Sequence, residues 1–333
     1  MLKYILSFML LFSTLSVFAG GWEEDVLGNG YICHHVAQPD DYSGKVRTTV
    51  IRKRVQPQTS VAILYVHGYN DYFFQSELGD SVQHHGMAFY AVDLRKYGRS
   101  LMPGQLPFEV RDMQEYFADI DVALAQIKFD GYSKVILMGH STGGLTISYY
   151  MKKHRTDRNQ IFGMVLNSPF LDMNLSWLEE EILVPLISIV PFPDISIPQG
   201  DSRSYAESLL KKYKGEWSYN TEWKKEISPA VTVGWLTAIH NAQMDLREDN
   251  HIDIPILLMH SDKSVWGDVW TPDFSKGDSV LDVADISLYG KKLGNNVTEL
   301  VVADGLHDLI LSRKDVRDFV YRKMFLWMNY ALH

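Results

Sequence analysis

The sequence predicts an α/β protein, a mostly parallel sheet with helices on both faces and a mainly helical insertion laid over it. Three observations lead there. Short continuous apolar runs recur near 60–67, 87–92, 135–140, 161–166, 254–260 and 297–302, the pattern of strands buried on both faces. Between the runs lie longer stretches with apolar residues at helical spacing, clearest in Met113, Phe117, Ile120, Leu124 and Ile127. Strands and helices alternate through the chain, which builds a sheet covered on both sides. With 333 residues, 46% of them hydrophobic, the chain can bury a large core.

Taken in order, the chain opens with Lys3 ahead of an apolar run over 4–18 that ends in Val17-Phe18-Ala19. This reads as a signal peptide, residues 1–19, cleaved after Ala19, and implies a secreted or periplasmic protein. A run of about 15 apolar residues falls short of the roughly 20 needed to span a bilayer. Cys33 is the single cysteine, so no intramolecular disulfide can form. Residues 31–55 pattern as a hairpin turning at 39–44. The run 60–67 leads into His67-Gly68-Tyr69, at the carboxyl end of a strand, where open α/β sheets place ligands. A helix over 74–85, a strand over 87–92 and a helix over 110–129 follow. The remaining core elements are strands at 135–140, 161–166, 254–260 and 297–302, with helices at 144–154, 283–293 and 314–332.

Residues 170–251 break this rhythm, being rich in aromatics and carrying prolines between Pro185 and Pro198. They read as a cap over a core of 20–169 and 252–333. The strongly apolar stretch 182–192 is too short to cross a membrane. It reads as packing surface inside the cap, or as a greasy lid that would admit acyl chains and make transient contact with a membrane surface.

The chemistry centres on Gly139-His140-Ser141-Thr142-Gly143, a G-x-S-x-G placed between a strand and a helix. A serine hydroxyl is a poor nucleophile by itself. It needs a base to take its proton, a carboxylate to orient that base, and donors for the oxyanion. Among 12 histidines, His307 lies in a Gly-containing turn after a late strand, downstream of every candidate acid. Those acids are Asp262, Asp268, Asp273, Asp278 and Asp282. His140, next to the serine, is expected to pack or bond locally, and Arg95 and Arg99 to pair with nearby acids.

His67-Gly68, Asp93-Leu94-Arg95 with Gly98-Arg99-Ser100, the serine motif and Gly305-Leu306-His307 together resemble the serine α/β-hydrolases of the monoglyceride lipase and lysophospholipase group. The resemblance covers nearly all of the chain after residue 19, the cap excepted. It implies the α/β-hydrolase fold, the order Ser, acid, His, and an oxyanion hole made by the backbone N–H groups of Tyr69 and Thr142. The family's acid position falls by direct spacing on Ser264, a departure from its pattern. Asp278-Ser279-Val280-Leu281-Asp282 reproduces the family's paired aspartates, as though 263–277 were inserted ahead of it. Asp278 is therefore the expected acid, with Asp262 as runner-up.

The implied protein is a secreted serine hydrolase that cleaves single-chain carboxylic esters, such as a monoacylglycerol or a lysophospholipid, through Ser141, His307 and Asp278. An aminopeptidase or thioesterase on the same fold, or a non-catalytic binding protein, are the alternatives; a peptidase would need a cap carboxylate, for which Glu179, Glu180 and Glu181 are available. The net charge of -9, with no basic stripe, argues against a nucleic-acid partner. No metal or cofactor is expected. His34-His35 and His84-His85 are adjacent pairs with no thiolate cluster nearby, and no G-x-G-x-x-G follows an early strand. Oligomeric state leaves no trace in the sequence.

Overall fold

Apolar runs that alternate faces become the strands of one sheet in the computed structural model, which describes residues 21–154, 160–173, 192–248, 251–267 and 269–331. In chain order the elements are β1 (Trp22–Glu24), β2 (Tyr31–Asp41), β3 (Gly44–Lys53), β4 (Val61–Val66), α1 (Ser76–His84), β5 (Ala88–Asp93), α2 (Phe117–Phe129), β6 (Lys134–His140), α3 (Thr142–Lys153) and β7 (Ile161–Asn167). Then come β8 (Ser196–Ile197), α4 (Ser204–Leu209), β9 (Val231–Thr232), α5 (Val233–Arg247), β10 (Ile256–Ser261), α6 (Val283–Gly290), β11 (Val297–Val302) and α7 (Lys314–Ala331).

The large sheet runs β1-β2-β3-β5-β4-β6-β7-β10-β11, antiparallel as far as the β3–β5 pair and parallel from there on. All the strands that lead to the functional site lie in the parallel part, so their carboxyl ends point the same way. This is the α/β-hydrolase fold.

Each central strand feeds two cores. In β4, Leu64 and Val66 pack with α2 and α3 on one face, while Ile63 and Tyr65 pack with α1 and α7 on the other. Each such aliphatic side chain contributes roughly 1.5–3 kcal/mol on full burial, and the period of two keeps the register from slipping.

Two expectations are adjusted. The helix expected over 110–129 begins only at Phe117, because Asp112 and Glu115 form a capping box that opens a short 3-10 turn first. The hairpin expected to turn at 39–44 is tighter, with β2 continuing to Asp41. Within the stretch read as a cap, β8 pairs with β9 and α5 packs against α3, with Ile239, Ala242 and Leu246 in the same core as the sheet. The leader expected at 1–19, Glu179 to Glu181 and nearly all of the apolar stretch 182–192 lie outside the described residues. Among the described residues, no helix is long and apolar enough to cross a membrane.

Candidate active site

The G-x-S-x-G motif is the hinge between β6 and α3. Ser141 sits there with φ 54° and ψ -119°, a strained geometry costing on the order of 1–3 kcal/mol. Its surroundings over-determine it. Its N–H donates to Asn167 O at 3.0 Å, and its carbonyl accepts from Phe170 N–H at 3.0 Å. A Cβ on Gly143 would stand 2.3 Å from Val66 O, and one on Gly139 would stand 2.6 Å from Gly143 O, so only glycine lets the helix start this close to the sheet. Thr142 is the first residue of α3, where an N–H has no intrahelical partner and is free to meet an anion.

Ser141 and His307 line one cleft. The turn carrying His307 follows β11 and is tied down on several sides: Ser261 Oγ donates to Gly305 O at 2.7 Å, and Leu306 N–H donates to Ser312 Oγ at 2.9 Å. Asn167, at the end of β7, donates to Asp308 Oδ1 at 2.6 Å and accepts from Leu309 N–H at 3.2 Å. Neither Asn167 nor Asp308 carries a motif that would have marked it in the sequence.

His307 Nδ1 bonds Asp278 Oδ2 at 2.8 Å, and both side chains are buried. A proton on Nδ1 leaves Nε2 as the basic nitrogen. Asp278 is aimed by its own loop, because its Oδ1 accepts from Val280 N–H and Leu281 N–H, both at 2.8 Å. The route to that position explains the spacing anomaly. Asp278 N–H donates to Lys263 O at 2.9 Å and Val265 N–H to Asp278 O at 2.7 Å, so Ser264 and Asp278 lie side by side and 265–277 leaves and returns between them.

Asp262 is elsewhere, half-exposed, with Oδ1 accepting from Asp304 N–H at 2.9 Å. Asp282 caps α6, Asp273 sits in a 3-10 turn, and Asp268 lies outside the described residues.

His67 fixes the turn after β4. Its Nδ1–H donates to Gly68 O at 2.8 Å and its Nε2 accepts from Leu94 N–H at 3.1 Å, the pattern of a neutral ring. Burial lowers its pKa and outweighs the pull of Asp93 and Asp71 in the other direction. Gly68 presses against the elbow, since a Cβ there would stand 3.0 Å from Ser141 Cβ. Tyr69 lines the cleft, and its hydroxyl donates to Pro229 O at 3.1 Å.

Behind the serine, His140 Nδ1 lies 3.5 Å from Asp71 Oδ2, and its ring centroid is 4.9 Å from that of His307. It does pack locally. Asp71 bonds the Lys224 ammonium at 3.1 Å through its other oxygen. Burial alone would raise the Asp71 carboxyl, but the Lys224 charge and then His140 outweigh it and hold it well below the usual carboxylate range. Arg95 pairs with Asp119, and Arg99 with Asp25 and Asp93, so both stiffen the loop after β5.

Asp71, His140 and Asp308 bring three donor atoms within 4.8 Å of one another, which invites a metal reading. The chemistry is poor for one. A cation would sit beside the Lys224 ammonium, and Asp308 already accepts from the amides of Asn167 and Gln75. Glu23, Cys33 and His35 also cluster, with burial raising the Cys33 thiol above its ordinary value.

Known proteins similar to this chain identify its family and its fold. Residues 57–268 match the model of the Hydrolase_4 family, described as serine aminopeptidase, S33. Phospholipase YtpA of Bacillus subtilis is 28% identical over 217 residues, covering 60% of this chain and 74% of that protein. Among solved structures, a soluble variant of monoglyceride lipase from Saccharomyces cerevisiae superposes with a TM-score of 0.64 at 16% identity, over 89% of this chain and 95% of that one. The monoacylglycerol lipase of Paleococcus ferrophilus gives a TM-score of 0.58 at 17% identity, over 86% and 99% respectively.

Proposed function

The chain belongs to the Hydrolase_4 family and is a serine hydrolase of the lipase and esterase kind, and on that premise we propose that it cleaves single-chain carboxylic esters through an acyl-enzyme. The observation that carries this reading is the bond from His307 to Asp278 in a cleft shared with the strained Ser141.

In the proposed cycle Ser141 Oγ attacks the ester carbonyl while His307 Nε2 takes the hydroxyl proton. Asp278 keeps His307 in the required tautomer and stabilises the imidazolium as it forms. The oxyanion accepts from the N–H groups of Tyr69 and Thr142. Collapse breaks the bond to the alcohol, which leaves with the proton from His307. Water then attacks the acyl carbon, gives its proton to the same nitrogen, and the acid departs as Ser141 regains its hydrogen.

The substrate we propose is a monoacylglycerol, a lysophospholipid or a similar ester. The curated relative is named a phospholipase and the fold neighbours are named monoglyceride lipases, which supports that class. The proposal includes a core of 20–169 and 252–333, a cap of 170–251 that contacts acyl chains or a membrane surface, and export directed by residues 1–19. A second reading, release of N-terminal amino acids, is favoured by the family's description as serine aminopeptidase. The described carboxylate nearest to that role is Glu226, which lines the cleft but is engaged by Lys212 and Tyr213.

The test is a turnover screen of the protein against monoglycerides and lysophospholipids of graded chain length, thioesters and aminoacyl amides, with Ser141→Ala as the blank. Hydrolysis of single-chain esters that disappears in the blank supports the proposal. Turnover of aminoacyl amides alone would replace it with the peptidase reading.

A further inference from the structure

The loop that follows β4 is braced from outside the core. Four successive side chains, Tyr69 to Tyr72, all bond to the segment 220–230. Tyr69 OH donates to Pro229 O at 3.1 Å. Asn70 Nδ2 donates to Lys225 O at 2.9 Å while its Oδ1 accepts from Lys225 N–H at 2.7 Å. Asp71 accepts from Lys224 at 3.1 Å, and Tyr72 OH accepts from Asn220 N–H at 2.8 Å.

Lys224 is the centre of this contact. Its side chain is 6% exposed and Asp71 is fully buried. Its ammonium also lies 5.6 Å from the ring of Tyr205 and 5.9 Å from that of Tyr219, distances at which a cation is drawn to an aromatic face. A lysine held this far from water is costly unless it is paired, and the carboxylate it pairs with is buried beside it, with His140 Nδ1 3.5 Å from its other oxygen. The same loop puts Gly68 against Ser141 and presents Tyr69 to the cleft.

We propose that Lys224 is a positioning residue for the oxyanion hole: by gripping Asp71 it sets the loop that aims the Tyr69 N–H, so the hole is complete only while segment 220–230 is docked. The inference rests on the reading of Ser141 and Tyr69 given above. Lys224 is itself on the lining of the cleft, but in this proposal it bonds Asp71 and not the substrate, and no proton passes through it. Its effect reaches the oxyanion through backbone geometry alone.

The experiment compares wild type, Lys224→Met and the double variant Lys224→Met with Asp71→Asn, the last removing the carboxylate that the single change strands. Folding is followed by circular dichroism and thermal melting. Steady-state kinetics on a short-chain p-nitrophenyl ester separate kcat from KM, and inhibition by a trifluoromethyl ketone reports binding of a charged tetrahedral adduct. Losing an oxyanion donor outright lowers kcat by ~10²–10³, so a misaimed donor is expected to lower it by ~10–100-fold with KM little changed. Affinity for the ketone should fall in parallel.

The double variant should regain melting temperature while kcat stays low. A folded single variant with wild-type kcat, a loss confined to KM, or a double variant that regains kcat along with stability would each overturn the inference. A wild type that neither turns over esters nor reacts with a fluorophosphonate would overturn the functional reading itself.

Discussion

Two loops deliver groups to the cleft, and they are braced to different degrees from within. The loop after β10 braces the acid from within: its backbone pairs Ser264 with Asp278, Ser264 Oγ accepts from Val283 N–H at 2.9 Å, and Asp278 takes two N–H groups from its own next turn, while its far arm reaches α4, where Trp270 Nε1–H donates to Ser208 Oγ at 2.9 Å and Ser208 Oγ donates to Phe274 O at 2.9 Å. The loop after β4 leans on a distant segment, 220–230, through Tyr69 to Tyr72. Bonds local to the acid hold Asp278 even when the far arm's contact with Ser208 is lost. An externally braced loop is expected to transmit the placement of segment 220–230 to the site.

That contrast orders the expected effects of substitution. Removing the proposed nucleophile should affect everything alike: Ser141→Ala is expected to lower kcat by about 10⁶ without unfolding the protein, as loss of a triad serine does. The self-braced loop should show sharp local dependence. Asp278→Asn is expected to lower kcat by about 10⁴, the cost of the wrong histidine tautomer, while Asp262→Asn leaves it nearly unchanged. The reverse pattern would move the acid to Asp262 and dissolve the distinction between the loops.

Smaller effects separate the two braces. Asn70→Ala removes two hydrogen bonds to Lys225 and is expected to cost about 1–3 kcal/mol in a urea titration, together with a measurable fall in kcat. Ser264→Ala should cost about 1 kcal/mol and leave kcat alone, since other bonds still hold Asp278.

Acid sensitivity gives the mildest contrast. Asp71 has a folded pKa below its unfolded value, so its contribution is complete above about pH 4 and drains away as pH falls further. Lys224→Met removes the principal charge that depresses it and should shift the acid-unfolding midpoint, followed by circular dichroism, upward. An unmoved midpoint would mean that the external brace stores no electrostatic stability.

What could be read from the sequence follows the same division. The strands were legible because a strand buried on both faces must be apolar throughout, as 61–66 is. The elbow was legible because close approach of α3 to β4 admits only glycine at 143. The acid loop was half legible: the aspartate pair at 278 and 282 stood out, but only the backbone pairing of Ser264 with Asp278 explains why fourteen positions separate the two. Asp71, Asn167, Asp308 and Lys224 left no pattern, because each works through a partner far away in the chain. Lys224 in particular looks like any surface lysine, next to Lys225, until folding buries it on Asp71.

The central claim is that Ser141 is a nucleophile activated by His307. Intact-mass analysis after reaction with a fluorophosphonate tests it most directly. The account predicts one adduct per chain, mapped to the peptide containing Ser141, absent in Ser141→Ala and strongly slowed in His307→Ala. A folded wild type that gains no mass, or a Ser141→Ala variant labelled as readily as wild type, would contradict it.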